Sequence, residues 1–476
     1  MNLQSVSFIS GEPIFDKKAT NKQEIGEILE KAKVAGQIWA NVSVADRIEC
    51  VRQFGAFVSA HRDQISKLIS SEVGKLPWDA DGEVSASIAK VELSIAAMET
   101  RRRDRILQPS NGPVQRQVRY RPIGVGLVLG PFNFPLHLPG GQIIPLLLAG
   151  NAVVFKPSEK ATAVGQWMMD AWHQSGLPRD VMQWIVGAGD TAVTAIDRPE
   201  VGGVFLTGSR AVGQAIHRQL AGRPEVMLAL ELGGNNPIIV TESVPPDTVA
   251  KLVSFSAFVS AGQRCTCARR AIFVDGNDSN HQINALVIAT EKLSAGLPGD
   301  NRAEVGPLID ATAAKRLKQT YDELLHLGCK PLLPFAVDPR HPALVRPSIL
   351  DATDISPDGL AAIGAMEWFG PLLVVQRVKN FEAAIHAAAR TPYGLAASLL
   401  GGSKAMFDQF AAGVGAGVVN WNGPTTGAAG ALPFGGLDAS GNHRPAGYYA
   451  IDFCSDPVSS LLRDEPSTDD PWSIVS

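Results

Sequence analysis

The sequence predicts an α/β protein: a doubly wound parallel sheet, a second α/β region and a small β arm. Three patterns carry that expectation. Between residues 152 and 240, short apolar runs alternate with helical stretches at the spacing of βαβ units. After Pro237 a second alternating region runs to about Asn420, with helices near 246–260, 279–295 and 311–327. Strand patterning around Val114 and at Val458–Leu462 belongs to neither region.

Taken in order, the first hundred residues read as helices, with Val84, Ile88, Val91, Ile95 and Met98 forming one apolar stripe at helical spacing. Arg101, Arg102, Arg103 and Arg105 follow. They read as a solvated helix end that complements the helix dipole, or as a contact for an anionic substrate or a neighbouring subunit. Gln115, Gln117, Arg119 and Arg121 then alternate with Val114, Val118 and Tyr120, as in a strand with one wet face. Pro122 and Gly124 interrupt before Val125–Leu129, so 114–129 is expected to be a two-stranded arm and not core. Ala152–Phe155, Met182–Val186, Gly203–Leu206 and Val226–Leu230 read as buried strands. Thr162–Gln174, stopped by Gly176 and Pro178, and Arg210–Leu220 read as helices between them. In such a sheet, ligands bind beyond the carboxyl ends of the strands.

A chain of 476 residues exceeds one hydrophobic core, so two or three domains are expected. Charged residues make up 19% and the net charge is -4, with no basic domain or tail, which argues against a nucleic-acid partner. Cysteines 50, 265, 267, 329 and 454 are an odd, sparse set that suits a reducing compartment. No signal peptide and no membrane-spanning run is expected, which points to a cytoplasmic protein.

Six segments carry chemistry. In Gly262-Gln-Arg-Cys265-Thr-Cys-Ala-Arg-Arg270, a turn carries a thiol out of an apolar stretch with arginines on both sides. Positive charge lowers a cysteine's pKa, and the thiolate is the nucleophile. Lone cysteines are usually buried and structural, so Cys265 depends on its company. Gly130-Pro-Phe-Asn133-Phe-Pro135 fixes one amide between prolines, where its NH2 can meet a developing oxyanion. Phe155-Lys156-Pro-Ser-Glu159 ends the first strand of the alternating region, where Lys156 can donate to a ribose. Glu159 can accept from the adenine ribose and repel a 2′-phosphate, favouring NAD over NADP. The turn Gly208-Ser209-Arg210-Ala211-Val212-Gly213 opens a helix after a strand, and its N–H groups suit a pyrophosphate. It is not a P-loop, because Gln214-Ala215 stands where Lys-Ser/Thr is required. Leu230-Glu231-Leu-Gly-Gly-Asn-Asn-Pro237 closes an apolar strand with a carboxylate, whose pKa is raised towards that of a general base. In Met366-Glu367-Trp-Phe369-Gly-Pro371, Glu367 can hold a ribose and Phe369 can pack on a flat ring.

Together these motifs resemble the aldehyde dehydrogenase superfamily along nearly the whole chain. The resemblance implies Cys265 as nucleophile, Glu231 as general base, and Asn133 with the backbone N–H of Cys265 as oxyanion hole. It implies Lys156 and Glu159 at the adenosine ribose, Gly208–Gly213 at the dinucleotide, and Glu367 with Phe369 at the nicotinamide ribose. The domains it implies are 1–113 with 131–236 for NAD, 237–422 for catalysis, 114–130 with 456–463 as an oligomerisation arm, and 423–455 as a returning segment. A homodimer or homotetramer is expected, and no metal: Cys265-Thr-Cys267 has poor zinc spacing.

A narrower resemblance rests on Phe134–Pro139, Gly-Gly-Asn-Asn-Pro237, the Cys265 segment, Asn420-Trp-Asn422, Pro433–Gly436 and Ser440–Pro445. It is to the branch oxidising N-succinylglutamate 5-semialdehyde in arginine breakdown. Gly423, Gly140 and Leu136 depart from that branch, so another acidic or N-acylated semialdehyde is the alternative substrate. A dianion needs cations, and Arg264, His443, Arg444 and Arg101–Arg103 are candidates. A cysteine hydrolase or acyltransferase without NAD, and an inactive homologue, are the readings from other classes.

Overall fold

A computed structural model describes residues 2–107, 114–276 and 278–463. The chain opens with an antiparallel hairpin, Asn2–Val6 against Pro13–Lys18, which the helical reading of the first hundred residues misses. Helices Lys22–Trp39, Val44–Ala60, Arg62–Val73 and Pro77–Arg101 follow. Asn21 and Glu24 form a capping box at the first of them. Gly74 at φ 75° stops the third, and Pro77 starts the fourth where its missing N–H costs nothing.

The first sheet has five parallel strands in the spatial order Met182–Trp184, Ala152–Lys156, Val125–Leu129, Val201–Thr207, Met227–Glu231. Numbered along the chain, that order is 3-2-1-4-5, the doubly wound arrangement. The order reverses between Val125–Leu129 and Val201–Thr207, so the crevice beyond their carboxyl ends is the ligand position. Val125–Leu129 corrects one expectation. It is not the second strand of an arm but the central strand of this sheet, buried at every residue. An unbroken apolar run bounded by Gly124 and Gly130 reads equally as a covered central strand.

The arm is a separate three-stranded sheet in which Gln115–Pro122 lies between Ser455–Leu462 and Arg105–Leu107. The second large sheet has seven strands: Lys330–Leu333, Ser348–Asp351, Leu372–Val378, Ala268–Val274, Asn236–Val240, Ala396–Leu400 and Val418–Trp421. Only its first pair is antiparallel. Helices Pro246–Phe258, Ser279–Glu291 and Ala311–His326 stand close to their expected places.

The chain returns to the first sheet near its end. Asn442 accepts from Leu230 N–H at 2.6 Å and donates to Leu228 O at 2.7 Å. Asp452 takes ion pairs from both Arg101 and Arg102. Those arginines are therefore ties to the returning segment, not a free helix end and not a free substrate contact. A charge run in sequence carries no sign of a partner some 350 residues away.

Candidate active site

Five strand ends and turns deliver the candidate residues to one region. Glu231 is the last residue of its strand, 4% exposed, and among the described residues its Oε1 has no hydrogen-bond partner. Burial pushes its carboxyl well above the ordinary carboxylate range. Gly435, at φ 139°, makes room for it: a Cβ there would lie 2.4 Å from Glu231 Oε1. Glu231 O accepts from Gly208 N–H at 2.9 Å, which joins this strand end to the glycine turn.

The Cys265 loop is a strained piece of backbone. Ser260, Ala261 and Gly262 lie in the left-handed region at φ 54°, 55° and 69°. A Cβ at Gly262 would meet Gly370 O at 2.2 Å, so only glycine fits. Such strain persists only where surroundings fix it, and here they do. Ser260 Oγ donates to Asp79 at 2.6 Å, and Arg264 donates to Ser260 Oγ and to Asp79 at 2.8 Å each. Asn236 Nδ2 donates to the carbonyls of Cys265 and Cys267 at 2.7 and 2.8 Å. Sequence reasoning read Asn236 only as part of a motif; its work is to clamp the thiol loop to the Glu231 segment.

The thiol itself is half-buried, and its pKa is pushed up to about 12. Burial is the main cause, followed by the negative charges of Glu231, Cys267 and Glu367. This reverses the expectation that flanking arginines lower it. Arg264 turns away to Asp79, and Arg270 donates to Asn235 and to the carbonyls of Ala387 and Ala388. Arg269 alone acts downward on the thiol. It is fully buried, with Nε and Nη1 unpartnered, and lies over the Phe369 ring at 5.6 Å. Cys267 is packed, its thiol donating to Val259 O.

Asn133 is 8% exposed and donates to Gln263 O at 2.9 Å, which seats its amide against the Cys265 loop. Phe132 meets Phe369 edge-to-face at 6.0 Å. Glu367 accepts from Gly234 N–H at 3.2 Å and packs on Gly233, where a Cβ would lie 1.6 Å from Oε1. Cys265, Glu231, Asn133, Glu367 and Phe369 thus share one neighbourhood.

The remaining candidates line the crevice of the five-stranded sheet. Lys156 ends its strand, 6% exposed, donating to Pro157 O at 3.0 Å, with its pKa lowered by burial. Glu159 follows, half-buried. Ser209 caps helix Arg210–Gln219 by accepting from Val212 N–H, and Gly213 packs against Leu232 so closely that a Cβ would lie 2.6 Å away. Arg210 points across to the Tyr393 ring at 5.6 Å. Ala211 and Val212 are exposed.

One cluster beside the site was not anticipated. Asp79, Glu83, Ser87, Lys90 and Ser94 recur every three or four residues on helix Pro77–Arg101, and all are buried. Glu83 pairs with Lys75 at 2.6 Å and accepts from the N–H groups of Leu136 and His137. Lys75 sits on the Phe134 ring at 3.3 Å, and Arg264 lies 5.2 Å from that ring. His137 is held neutral, its pKa pushed down to about 3 by burial and then by Lys90, Lys75 and Arg264. The signal was present in the sequence: a polar stripe runs beside the apolar stripe.

The aldehyde dehydrogenase family model matches residues 2–459. The N-succinylglutamate 5-semialdehyde dehydrogenase 1 of Caulobacter vibrioides is 42% identical over 458 residues, 96% of this chain and 95% of that protein. A glyceraldehyde-3-phosphate dehydrogenase from Methanocaldococcus jannaschii, solved with NADP, superposes with a TM-score of 0.89 at 26% identity, covering 98% and 99% of the two chains. An NAD-dependent aldehyde dehydrogenase from Sinorhizobium meliloti gives 0.91 at 23% identity over 98% and 93%, which speaks to the fold.

Proposed function

The chain belongs to the aldehyde dehydrogenase family, and from that premise we propose that it oxidises N-succinyl-L-glutamate 5-semialdehyde to N-succinyl-L-glutamate with NAD, in arginine catabolism. The observation that carries the reading is the meeting of Cys265, Glu231 and Asn133 in a chain 42% identical to a relative of that name.

The chemistry follows from the geometry. Glu231 takes the Cys265 thiol proton and passes it to solvent, Sγ adds to the aldehyde carbon, and the carbonyl oxygen becomes an oxyanion. Asn133 spends one N–H on Gln263 O and keeps the other for that oxyanion. Among the described residues the Cys265 N–H has no protein acceptor, so it is the second donor. Collapse of the adduct with loss of hydride leaves a thioester on Cys265. NAD, when bound, supplies the hydride acceptor. Glu231 takes a proton from water, water adds to the thioester carbon, the C–S bond breaks and the carboxylate leaves. A carboxyl held in apolar surroundings has a pKa raised towards that required of such a base.

The crevice at the strand-order reversal supports a dinucleotide. Lys156 and Glu159 stand at one side of it for the adenosine ribose, with the helix N-terminus from Gly208 to Gly213 beside the pyrophosphate. Glu367 and Phe369 stand at the thiol end for the nicotinamide ribose. Glu159 is the residue that would disfavour a 2′-phosphate. We assign the five-stranded sheet to cofactor binding, the seven-stranded sheet to catalysis and the three-stranded sheet to assembly as a homodimer or homotetramer.

A panel of aldehydes assayed with NAD and with NADP tests the reading by NADH or NADPH absorbance. Succinylglutamate semialdehyde with NAD is expected to give the highest kcat/KM, and Cys265→Ala is expected to give none. A neutral aliphatic aldehyde winning the panel would overturn the substrate. Another acidic or N-acylated semialdehyde winning would select the alternative, and equal use of NADP would overturn the role of Glu159.

A further inference from the structure

Lys90 is a buried cation on helix Pro77–Arg101 that has no carboxylate against it among the described residues. It is 7% exposed, yet among the described residues its ammonium makes no hydrogen bond and no ion pair. The two carboxylates on the same buried stripe are taken by other cations: Asp79 is paired with Arg264, and Glu83 with Lys75. Burial lowers the pKa of the Lys90 ammonium, and a bound anion would restore its charge and be held strongly in return.

Two glycines flank that side chain. A Cβ on Gly141 would lie 3.8 Å from Lys90 Cε, and one on Gly430 would lie 3.9 Å from Nζ. The ammonium thus sits between the helix His137–Leu148 and the segment that follows Asn420-Trp-Asn422, with glycine on both sides. Lys90 and Arg264, the residue before Cys265, both act on the His137 imidazole, which puts the ammonium on the side of the Cys265 loop. Four of the cations first considered from sequence are placed less well. Arg264 is tied to Asp79, Arg101 and Arg102 are tied to Asp452, and His443 is exposed.

We infer that the Lys90 ammonium receives a carboxylate of the aldehyde substrate while the aldehyde carbon sits at Cys265, which makes Lys90 the residue that selects acidic semialdehydes. The inference rests on the oxidation of an acidic semialdehyde proposed above. The neutral His137 imidazole stands beside the same ammonium and leaves its charge to the ligand.

The test compares wild type, Lys90→Met, Lys90→Gln and Lys90→Arg on succinylglutamate semialdehyde and on pentanal, each with NAD. The readout is the ratio of the two kcat/KM values. It is expected to fall at least ~30-fold in Lys90→Met and Lys90→Gln, mainly through KM for the acidic substrate, the scale of losing one partner of a buried charge pair. Lys90→Arg is expected to restore most of the ratio. N-succinylglutamate, the product, is expected to raise the Tm of wild type and not of Lys90→Met. A ratio unchanged within about threefold in both folded neutral variants would overturn the inference. A wild type that itself prefers pentanal would overturn the function proposed above instead, so the two failures are separable.

Discussion

At the scale of the residue, Glu231 and Cys265 are opposites in how legible they are. The position of each was clear from its motif: a carboxylate closing an apolar strand, a thiol after a glycine turn. Their electrostatics divided. Burial raises Glu231 as its apolar strand implied. It also raises Cys265 to about 12, because the arginines adjacent in sequence bond elsewhere in space. Adjacency along a chain does not fix where a guanidinium points. A raised carboxyl has a consequence for stability. The folded state binds the Glu231 proton more tightly than the unfolded chain does, so stability is greatest below the ordinary value of 4.5 and is lost as pH rises towards the folded value. Glu231→Gln is therefore expected to raise Tm at pH 8 relative to pH 5, compared with wild type at the same two pH values. The same variant is expected to lose at least ~100-fold in turnover, the contribution of a positioned general base. Thermal melts and steady-state rates on one preparation check both, and a variant as active as wild type would remove Glu231 from the mechanism.

At the scale of the element, helix Pro77–Arg101 shows what periodicity reveals and conceals. Its apolar stripe of Val84, Val91, Ile95 and Met98 was readable and is buried. Its polar stripe was equally periodic, but polar residues on a helix are expected to face water. Only the structure places Glu83 against Lys75 and the N–H groups of Leu136 and His137. Glu83→Ala would leave Lys75 buried beside no carboxylate and strip two N–H groups of their acceptor. The expected cost is about 3–5 kcal/mol, read as a lower midpoint in denaturant. Loss under ~1 kcal/mol would mean that Lys75 escapes to water. Val125–Leu129 is the converse case. Its strand character was plain, but a five-residue apolar run gives no sign of which sheet it enters.

At the scale of the molecule, the two α/β sheets were largely legible because βαβ spacing repeats, and the strand order was not, because it depends on long-range pairing. The arm was visible in part, from the alternation over 115–121. Its outer strands are Arg105–Leu107 and Ser455–Leu462, which carry Ile106 at 60% and Leu461 at 74% exposure. Edge strands with exposed apolar side chains invite pairing with another chain. Removing residues 455–463 is expected to give monomers in light scattering where the intact chain gives the proposed dimer or tetramer, while the two larger sheets stay folded by circular dichroism. An unchanged mass after truncation would sink the assembly role of the arm.

Helix Pro77–Arg101 also bears on how such an enzyme diverges. Asp79 holds the strained turn before the thiol, Glu83 holds the backbone after Asn133, and Arg101 holds the returning segment. The rotational phase of the rod is thus pinned at both ends. One inserted residue would turn everything beyond it by about 100° and advance it by about 1.5 Å, unseating chemistry and selection together. A replacement at position 90 keeps that length and phase. With Lys90 in the role inferred above, new specificities along this rod would arise by exchange of side chains and not by changes of length.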